Sequence, residues 1–222
     1  MLGALENPSL TDEKLLRLLR NPHVTPQILS RIGRDRRWTR VYEIKRALVR
    51  HPRSPLVVSR GFLPYLHWKD LAEACADLRV HPVARRQAER LLGTRVDELS
   101  LGEKVTLARR ASRGLIRALI DAGEPQVLRG LLGNERTVEA DAIRIASGPR
   151  ATPELLRHLA DHPKWGRRRD VRLALLRNRR TPVPVALRLA GGLAPPDLRR
   201  LLKDDKVPRI VRVGAERRLA DS

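Results

Sequence analysis

Residues 21–38, NPHVTPQILSRIGRDRRW, are matched 127 positions later by residues 148–165, GPRATPELLRHLADHPKW. The alignment continues without a gap as far as Leu92 and Leu219, and 22 of its 72 positions are identical. Repeats are sought first, because an overlooked period leads to the wrong fold. An ungapped match of this length predicts that the chain is internally duplicated, with an offset of 127 positions.

Each copy contains a shorter period, because the spacing from Pro26 to Pro55 is repeated from Pro153 to Pro182 and is the length of a helical hairpin. A threonine or serine precedes each proline, and this order predicts an N-cap hydroxyl followed by proline at the first helical position. The four dipeptides are Thr25-Pro26, Ser54-Pro55, Thr152-Pro153 and Thr181-Pro182. Ser100 and Glu103 predict a capping box that opens a further helix. Apolar residues recur at three and four without strict alternation, so the sequence predicts about fourteen short helices and no sheet.

Short helices are marginal alone and must stack on their neighbours to bury an apolar face. The fold class predicted is therefore all-α, an α-solenoid of stacked helical hairpins. The composition of residues 99–128 is not that of a linker. We expect a single continuous array over residues 1–222, with copy one at residues 1–98, connecting helices at residues 99–128 and copy two at residues 129–222.

The units Asn21-Pro22 to Pro26 and His51-Pro52 to Pro55 resemble the repeats of bacterial HEAT-like and leucine-rich-repeat-variant solenoids. This resemblance extends over nearly the whole chain, and its motifs imply stacking without chemistry. One leucine-rich-repeat variant holds iron and sulfur in a cysteine cluster, which a chain with only Cys75 does not match. HEAT-like solenoids also include alkylpurine DNA glycosylases, which hold duplex DNA in a basic concave face. None of their catalytic motifs is matched here, so that comparison is an analogy of fold.

The charge balance is strongly basic, with 46 Lys and Arg against 25 Asp and Glu and a net charge of +21. An ordinary neutral cytosolic enzyme is therefore not the default expectation. With Cys75 as its only cysteine, the chain has no disulfide framework, four-cysteine zinc site or thiolate-bound cluster, and it fits a reducing compartment. The N-terminus lacks a basic n-region, and no stretch approaches the ~18 apolar residues of a spanning helix. We expect a cytoplasmic protein without a membrane partner.

Arginines are concentrated in two clusters, one in each copy. Clustered guanidinium groups present forked donors to phosphate and release counterions when they bind it. The candidate nucleic-acid or anion-binding residues are Arg36, Arg37, Arg40, Arg46, Arg50, Arg53, Arg167, Arg168, Arg169, Arg172, Arg177 and Arg180. The alternative interpretation is a solvated face in an Arg-rich protein.

The favoured function is a non-enzymatic binding module whose basic edge engages nucleic acid, with no cofactor. An offset of about four hairpins would separate the two clusters by roughly 32 to 40 Å, near one turn of duplex DNA, so duplex is the favoured form. A scaffold that binds an acidic protein is the alternative. A glycosylase-like enzyme is a further alternative, and it would need an unpaired acid such as Asp141 or Glu124 near Trp68.

Other residue types favour structural roles. Trp38 and Trp165 occupy equivalent positions, which predicts packing between hairpins over stacking on bases. His158 and His162 are four residues apart, but no third ligand is placed by the sequence, so no metal is expected. Cys75 is expected in the core.

The carboxylates are duplicated, whereas a general acid or base occurs once per site. The equivalent pairs predict caps and ion pairs within the repeats. These pairs are Asp70 with Asp197, Asp77 with Asp204, and Glu89 with Glu216.

Overall fold

The computed structural model describes residue 7 and residues 9–220. Within them the protein is all helical, with sixteen α-helices, two short 3₁₀ helices and no strand. The all-helical class is therefore confirmed, with two helices more than the sequence predicts. In this described part of the chain no helix is long and apolar enough to cross a membrane.

The chain divides into two compact units, residues 1–99 and residues 100–222. The boundary falls one residue after the end of the first sequence copy. The helices described in unit 1 are α1 Asp12–Leu19, α2 Pro26–Arg34, α3 Arg36–Thr39, α4 Tyr42–Arg50, α5 Leu56–Phe62, α6 Trp68–Ala76 and α7 Pro82–Thr94. Its 3₁₀ helices are Leu63–Tyr65 and Val96–Glu98. A single continuous array over the whole chain stays a prediction.

Unit 2 is built from the nine remaining helices. They are α8 Leu101–Arg110, α9 Arg113–Ala122, α10 Pro125–Leu132, α11 Glu139–Ser147, α12 Pro153–Asp161, α13 Arg169–Arg177, α14 Val183–Gly191, α15 Pro195–Leu202 and α16 Arg209–Ala220. Each helix packs on helices close to it in sequence, as α8 does on α10, α11 on α13 and α14 on α16.

Apolar residues at helical spacing form a separate core in each unit. In unit 1, Leu29, Ile44 and Leu48 are fully buried where α1, α2 and α4 meet. In unit 2, Leu156 and Leu175 are fully buried on α12 and α13. Helices of about ten residues are marginal alone, so this burial between neighbours supplies most of their stability.

The capping box predicted at Ser100 is confirmed. The Ser100 N–H donates to the Glu103 carboxylate at 2.9 Å, and the Glu103 N–H donates to the Ser100 hydroxyl at 3.4 Å. Thr25 and Thr152 are the N-cap residues with proline at the first helical position, as predicted, but only the Thr152 hydroxyl makes the predicted cap hydrogen bond.

The other two predicted N-caps are wrong by one residue. Helices α5 and α14 begin after Pro55 and Pro182, whose ψ angles of 141° and 134° are extended. The Thr181 hydroxyl donates instead to the carbonyl oxygen of Leu175 at 2.6 Å. The hydroxyl therefore satisfies a carbonyl group in the last turn of α13 and does not cap the start of α14.

Candidate anion-binding surface

A recurring turn places several of the candidate arginines. Its first side chain accepts the backbone N–H two residues later, as His51 does from Arg53 at 3.1 Å and Asn178 does from Arg180 at 2.9 Å. The same side chains also contact the backbone about thirty residues earlier in the chain. His51 Nε2 donates to the Asn21 carbonyl at 3.0 Å, and Asn178 donates to Ala146 at 2.6 Å. Arg53 and Arg180, which are matched in the sequence at the offset of 127, therefore follow the same kind of turn contact.

Arg53 and Arg180 both bond to the backbone of the preceding turn. Arg53 donates to the carbonyl oxygen of His23 at 3.2 Å, and Arg180 donates to that of Pro149. Both side chains remain exposed. Part of their donor capacity is therefore used within the protein.

Four further candidates form ion pairs with acidic residues. Arg50 donates to Glu73 at 2.5 Å and lies 3.6 Å from Asp77. Arg177 donates to Asp204 at 2.6 Å. The contacts of Arg50 with Asp77 and of Arg177 with Asp204 span the same sequence separation. This repeated spacing of an arginine and an aspartate is visible in the sequence, but it was not used there to predict which arginines are paired.

Arg46 and Arg169 complete this set. Arg46 lies 3.5 Å from Asp70, and Arg169 makes a bidentate contact with Asp197. The hydrogen bond from Arg169 holds the pKa of Asp197 below its ordinary value. The ion pairs predicted for Asp70, Asp77, Asp197 and Asp204 are confirmed, whereas Glu89 and Glu216 form no ion pair among the described residues.

Two candidates contact other groups of their own unit. Arg172 donates to the carbonyl oxygens of Gly166 at 2.8 Å and Gly192 at 3.1 Å. The guanidinium carbon of Arg37 lies 3.9 Å from the ring centroid of Trp38. Both side chains are half-buried.

The last four candidates are Arg36, Arg40, Arg167 and Arg168. All four are exposed, and none makes a side-chain hydrogen bond or ion pair within the described part of the chain. They lie in two stretches that we name the tryptophan–arginine segments, residues 35–41 in unit 1 and residues 162–168 in unit 2. Their guanidinium groups are accessible to a ligand.

The tryptophans anchor these segments. Trp38 is 2% exposed and Trp165 is 1% exposed, which confirms the predicted packing role. Trp165 Nε1 donates to the carbonyl oxygen of Leu132 at 2.9 Å. Burial of both rings leaves the neighbouring arginines at the surface and removes the rings as platforms for bases.

Gly166 is required by a close backbone approach. A Cβ atom there would lie 2.1 Å from the carbonyl oxygen of Ala160. In unit 1 the segment is fixed differently, since the Asp35 carboxylate accepts the Arg37 N–H at 2.8 Å and caps α3. Each segment therefore presents its arginines from a constrained backbone.

A cavity of about 410 Å³ lies beside the segment of unit 2. Arg167, Arg172, Arg188 and His162 line it, together with Asp161, which pairs with Arg188. Burial lowers the pKa of His162, and the charges of His158 and Lys164 lower it further. The His162 ring accepts the Lys164 N–H through Nδ1 at 3.2 Å, so a neutral ring fits this turn.

The two histidines and the cysteine considered as metal ligands or nucleophiles form no reactive site among the described residues. The rings of His158 and His162 lie 6.1 Å apart, and no group of three potential ligands among the described residues could hold a metal ion. Cys75 is buried, as predicted, and burial raises the pKa of its thiol to about 12.

The acids weighed for catalysis are paired. Asp141 accepts from Arg113 and from the Val138 N–H, and Glu124 accepts from Lys104 at 2.7 Å.

Comparison with protein-family models, curated proteins and solved structures finds no match for this chain, so the assignment of a function depends on its own residues.

Proposed function

We propose that this protein is a non-enzymatic module that binds a polyanion, with duplex nucleic acid as its ligand. The observation that supports this most is the pair of tryptophan–arginine segments. Each one exposes two arginines without a partner in the described chain, beside a buried tryptophan. Seven of the other candidates are engaged in ion pairs or backbone hydrogen bonds, so the four exposed arginines are the primary contacts.

The energetics favour a phosphate ligand. An exposed guanidinium without an internal partner loses little when it binds phosphate, and the duplex releases condensed counterions for each contact. The net charge of +21 adds long-range attraction to any polyanion.

Buried tryptophans favour a duplex over a single strand. Proteins that bind single strands stack bases on exposed aromatic rings. Here only 3% of residues are aromatic, and Trp38 and Trp165 are buried.

The proposed architecture is an internally duplicated α-solenoid of HEAT-like hairpins. In its support, Arg50 with Asp77 and Arg177 with Asp204 form the same ion pair at equivalent positions of the two copies. His51 and Asn178 also make the same turn contacts at equivalent positions. Each copy then contributes one tryptophan–arginine segment.

A protein scaffold is the second candidate function. Leu187 on α14 and Ile210 on α16 are 39% and 53% exposed, on helices that pack together. Exposed apolar residues on adjacent helices favour contact with a protein.

The test is a salt titration of duplex binding with two variants of equal charge. In the first variant, the four arginines Arg36, Arg40, Arg167 and Arg168 become glutamine. In the control, four other arginines that are also exposed and unpaired within the described residues become glutamine. These are Arg17, Arg90, Arg199 and Arg217.

We expect the slope of log Kd against log salt to fall by about 3 to 4 in the first variant, at roughly 0.9 per phosphate contact, and by less in the control. Equal losses in both variants would show that only net charge matters and would overturn the assigned site. If the parent fails to bind duplex at low salt, the nucleic-acid proposal is wrong and the scaffold replaces it.

A further inference from the structure

Unit 1 contains a cavity of about 300 Å³ that lies apart from its tryptophan–arginine segment. Four arginines line it: Arg20 after α1, Arg46 and Arg50 on α4, and Arg79 in the turn after α6. Its lining includes no carboxylate. We name it the four-arginine cavity.

Carboxylates outside the cavity orient two of these guanidinium groups, those of Arg79 and Arg50. Asp77 accepts from Arg79 through Nε at 3.0 Å and Nη2 at 2.8 Å. Glu73 accepts from Arg50 Nη1 at 2.5 Å. Both guanidinium groups keep one terminal nitrogen, Nη1 of Arg79 and Nη2 of Arg50, without a hydrogen bond to any described residue. The side chains are therefore held in place while donors remain for a ligand.

Arg20 is the unbalanced member of the group. Its side chain is exposed and makes no hydrogen bond or ion pair with the residues that the structure describes. Arg46 is also weakly held, because its contact with Asp70 is 3.5 Å and Tyr42 already donates to that carboxylate. The four arginines that line the cavity contact three carboxylates, Asp70, Glu73 and Asp77, so an excess of positive charge remains that an anion would offset.

Two of the four arginines are not matched in the second half of the sequence. At the offset of 127, Arg46 is matched by Leu173, and Ser147 stands at the position that corresponds to Arg20 just before the aligned stretch, so neither guanidinium group has a counterpart there. Arg50 is matched by Arg177, which repeats an ion pair of the fold. The packing of the helices therefore does not require arginine at positions 20 and 46.

We propose that the four-arginine cavity binds a phosphate monoester. A monoester has two negative charges near neutral pH, and its terminal oxygens suit arginines that three elements contribute to one cavity. The volume of about 300 Å³ is at the lower end for ligand pockets. Leu19 and Ala47 give the cavity an apolar wall for the organic group of the ester.

Two sources could supply this group: a free mononucleotide, or the 5′-phosphate at the end of a nucleic-acid strand. The site differs from the tryptophan–arginine segments, so it does not depend on the proposed function.

The first experiment measures binding of adenosine monophosphate, with adenosine as the uncharged comparison. We expect the monophosphate to bind, adenosine not to bind, and R20Q and R46Q each to weaken binding at least about tenfold, as for loss of a charged hydrogen bond. R17Q is the matched control, since Arg17 is an exposed arginine of α1 outside the cavity. No binding of the monophosphate, or equal binding by the parent and R20Q, would overturn the proposal.

Thermal unfolding of each variant is measured as a control for retention of the fold. The variant with glutamine at Arg36, Arg40, Arg167 and Arg168 should bind the monophosphate as the parent does. If this variant loses duplex binding but still binds the monophosphate, the four-arginine cavity is a site distinct from the one in the proposed function.

The second experiment compares a duplex with 5′-phosphates and the same duplex with 5′-hydroxyls. If the phosphates strengthen binding to the parent and not to R20Q, the strand end is the ligand. If the two duplexes bind equally while the monophosphate binds, the ligand is a free mononucleotide.

Discussion

Trp38 and Trp165 are matched positions in the sequence alignment at the offset of 127, but their indole nitrogens differ. Trp165 Nε1 donates to the carbonyl oxygen of Leu132, whereas Trp38 Nε1 has no acceptor within the part of the chain that the structure describes. Replacing Trp165 would leave the buried Leu132 carbonyl without its donor, and an unpaired buried carbonyl is costly. The same replacement at Trp38 leaves no such group, so the two substitutions should reduce the free energy of unfolding by different amounts.

We expect W165F to reduce the free energy of unfolding by about 1 to 3 kcal/mol more than W38F does. Both variants lose ring volume, and only W165F loses an observed hydrogen bond. Urea unfolding of the two variants measures the difference. Equal losses would contradict the prediction.

His162 makes stability depend on pH. Its pKa lies below the ordinary value of 6.5, through burial and then the charges of His158 and Lys164. The unfolded chain therefore binds the proton more readily than the folded chain does. The contribution of the neutral ring is complete above pH ~6.5 and is lost as the pH falls below that value.

We expect the free energy of unfolding to fall between pH 7 and pH 5.5, and to fall less in H162N. Asparagine retains an acceptor for the turn, as Asn178 does, but it cannot be protonated. The pKa values of Asp77 and Asp204 are lowered from 3.8, so these carboxylates stay ionised in this range. An equal pH dependence in H162N and the parent would contradict the prediction.

At the scale of the element, proline at the first helical position does not by itself define the cap. Thr152 accepts the Leu155 N–H at 3.3 Å, whereas Thr25 is an N-cap without a side-chain hydrogen bond. The two helices α12 and α2 therefore start from the same dipeptide with different contacts.

We expect T152A to cost about 1 kcal/mol of stability and T25A to cost a few tenths. The difference arises because only Thr152 satisfies an unpaired N–H of the first turn. Chemical unfolding of both variants measures it, and a larger loss in T25A would be the opposite of the expected order.

At the scale of the whole molecule, the internal pairing of arginines determines which positive charges remain for a ligand. The net charge is +21, but many guanidinium groups contact carboxylates or carbonyls of a neighbouring helix or turn. Binding of a polyanion would therefore use particular residues and would not be spread over every arginine.

We expect a single strand to bind no more tightly than a duplex with the same number of phosphates, at equal salt concentration. Stacking of a base on an exposed ring contributes roughly 1 to 3 kcal/mol, and buried Trp38 and Trp165 cannot provide it. Fluorescence anisotropy with labelled oligonucleotides measures both affinities. Tighter binding of the single strand would contradict the prediction.

The sequence by itself determined the helical class, the capping box at Ser100 and the burial of Trp38, Trp165 and Cys75. These properties follow from local order and periodicity, because a helix repeats its apolar face every three to four residues. The sequence placed the starts of α5 and α14 one residue too early. Whether a proline is the first helical residue or the residue before the helix depends on its ψ angle, and the ψ angles of Pro55 and Pro182 are extended.

Only the tertiary structure decided which arginines are accessible. Arg40 and Arg53 are both exposed arginines of the first cluster, yet Arg53 donates to His23 and Arg40 has no partner among the described residues. Several of the partners lie more than 20 residues away along the chain, as Pro149 does from Arg180 and Asp204 does from Arg177. Such contacts form when neighbouring helices pack together, so composition and local spacing identify the charge but not the donors that remain available to a ligand.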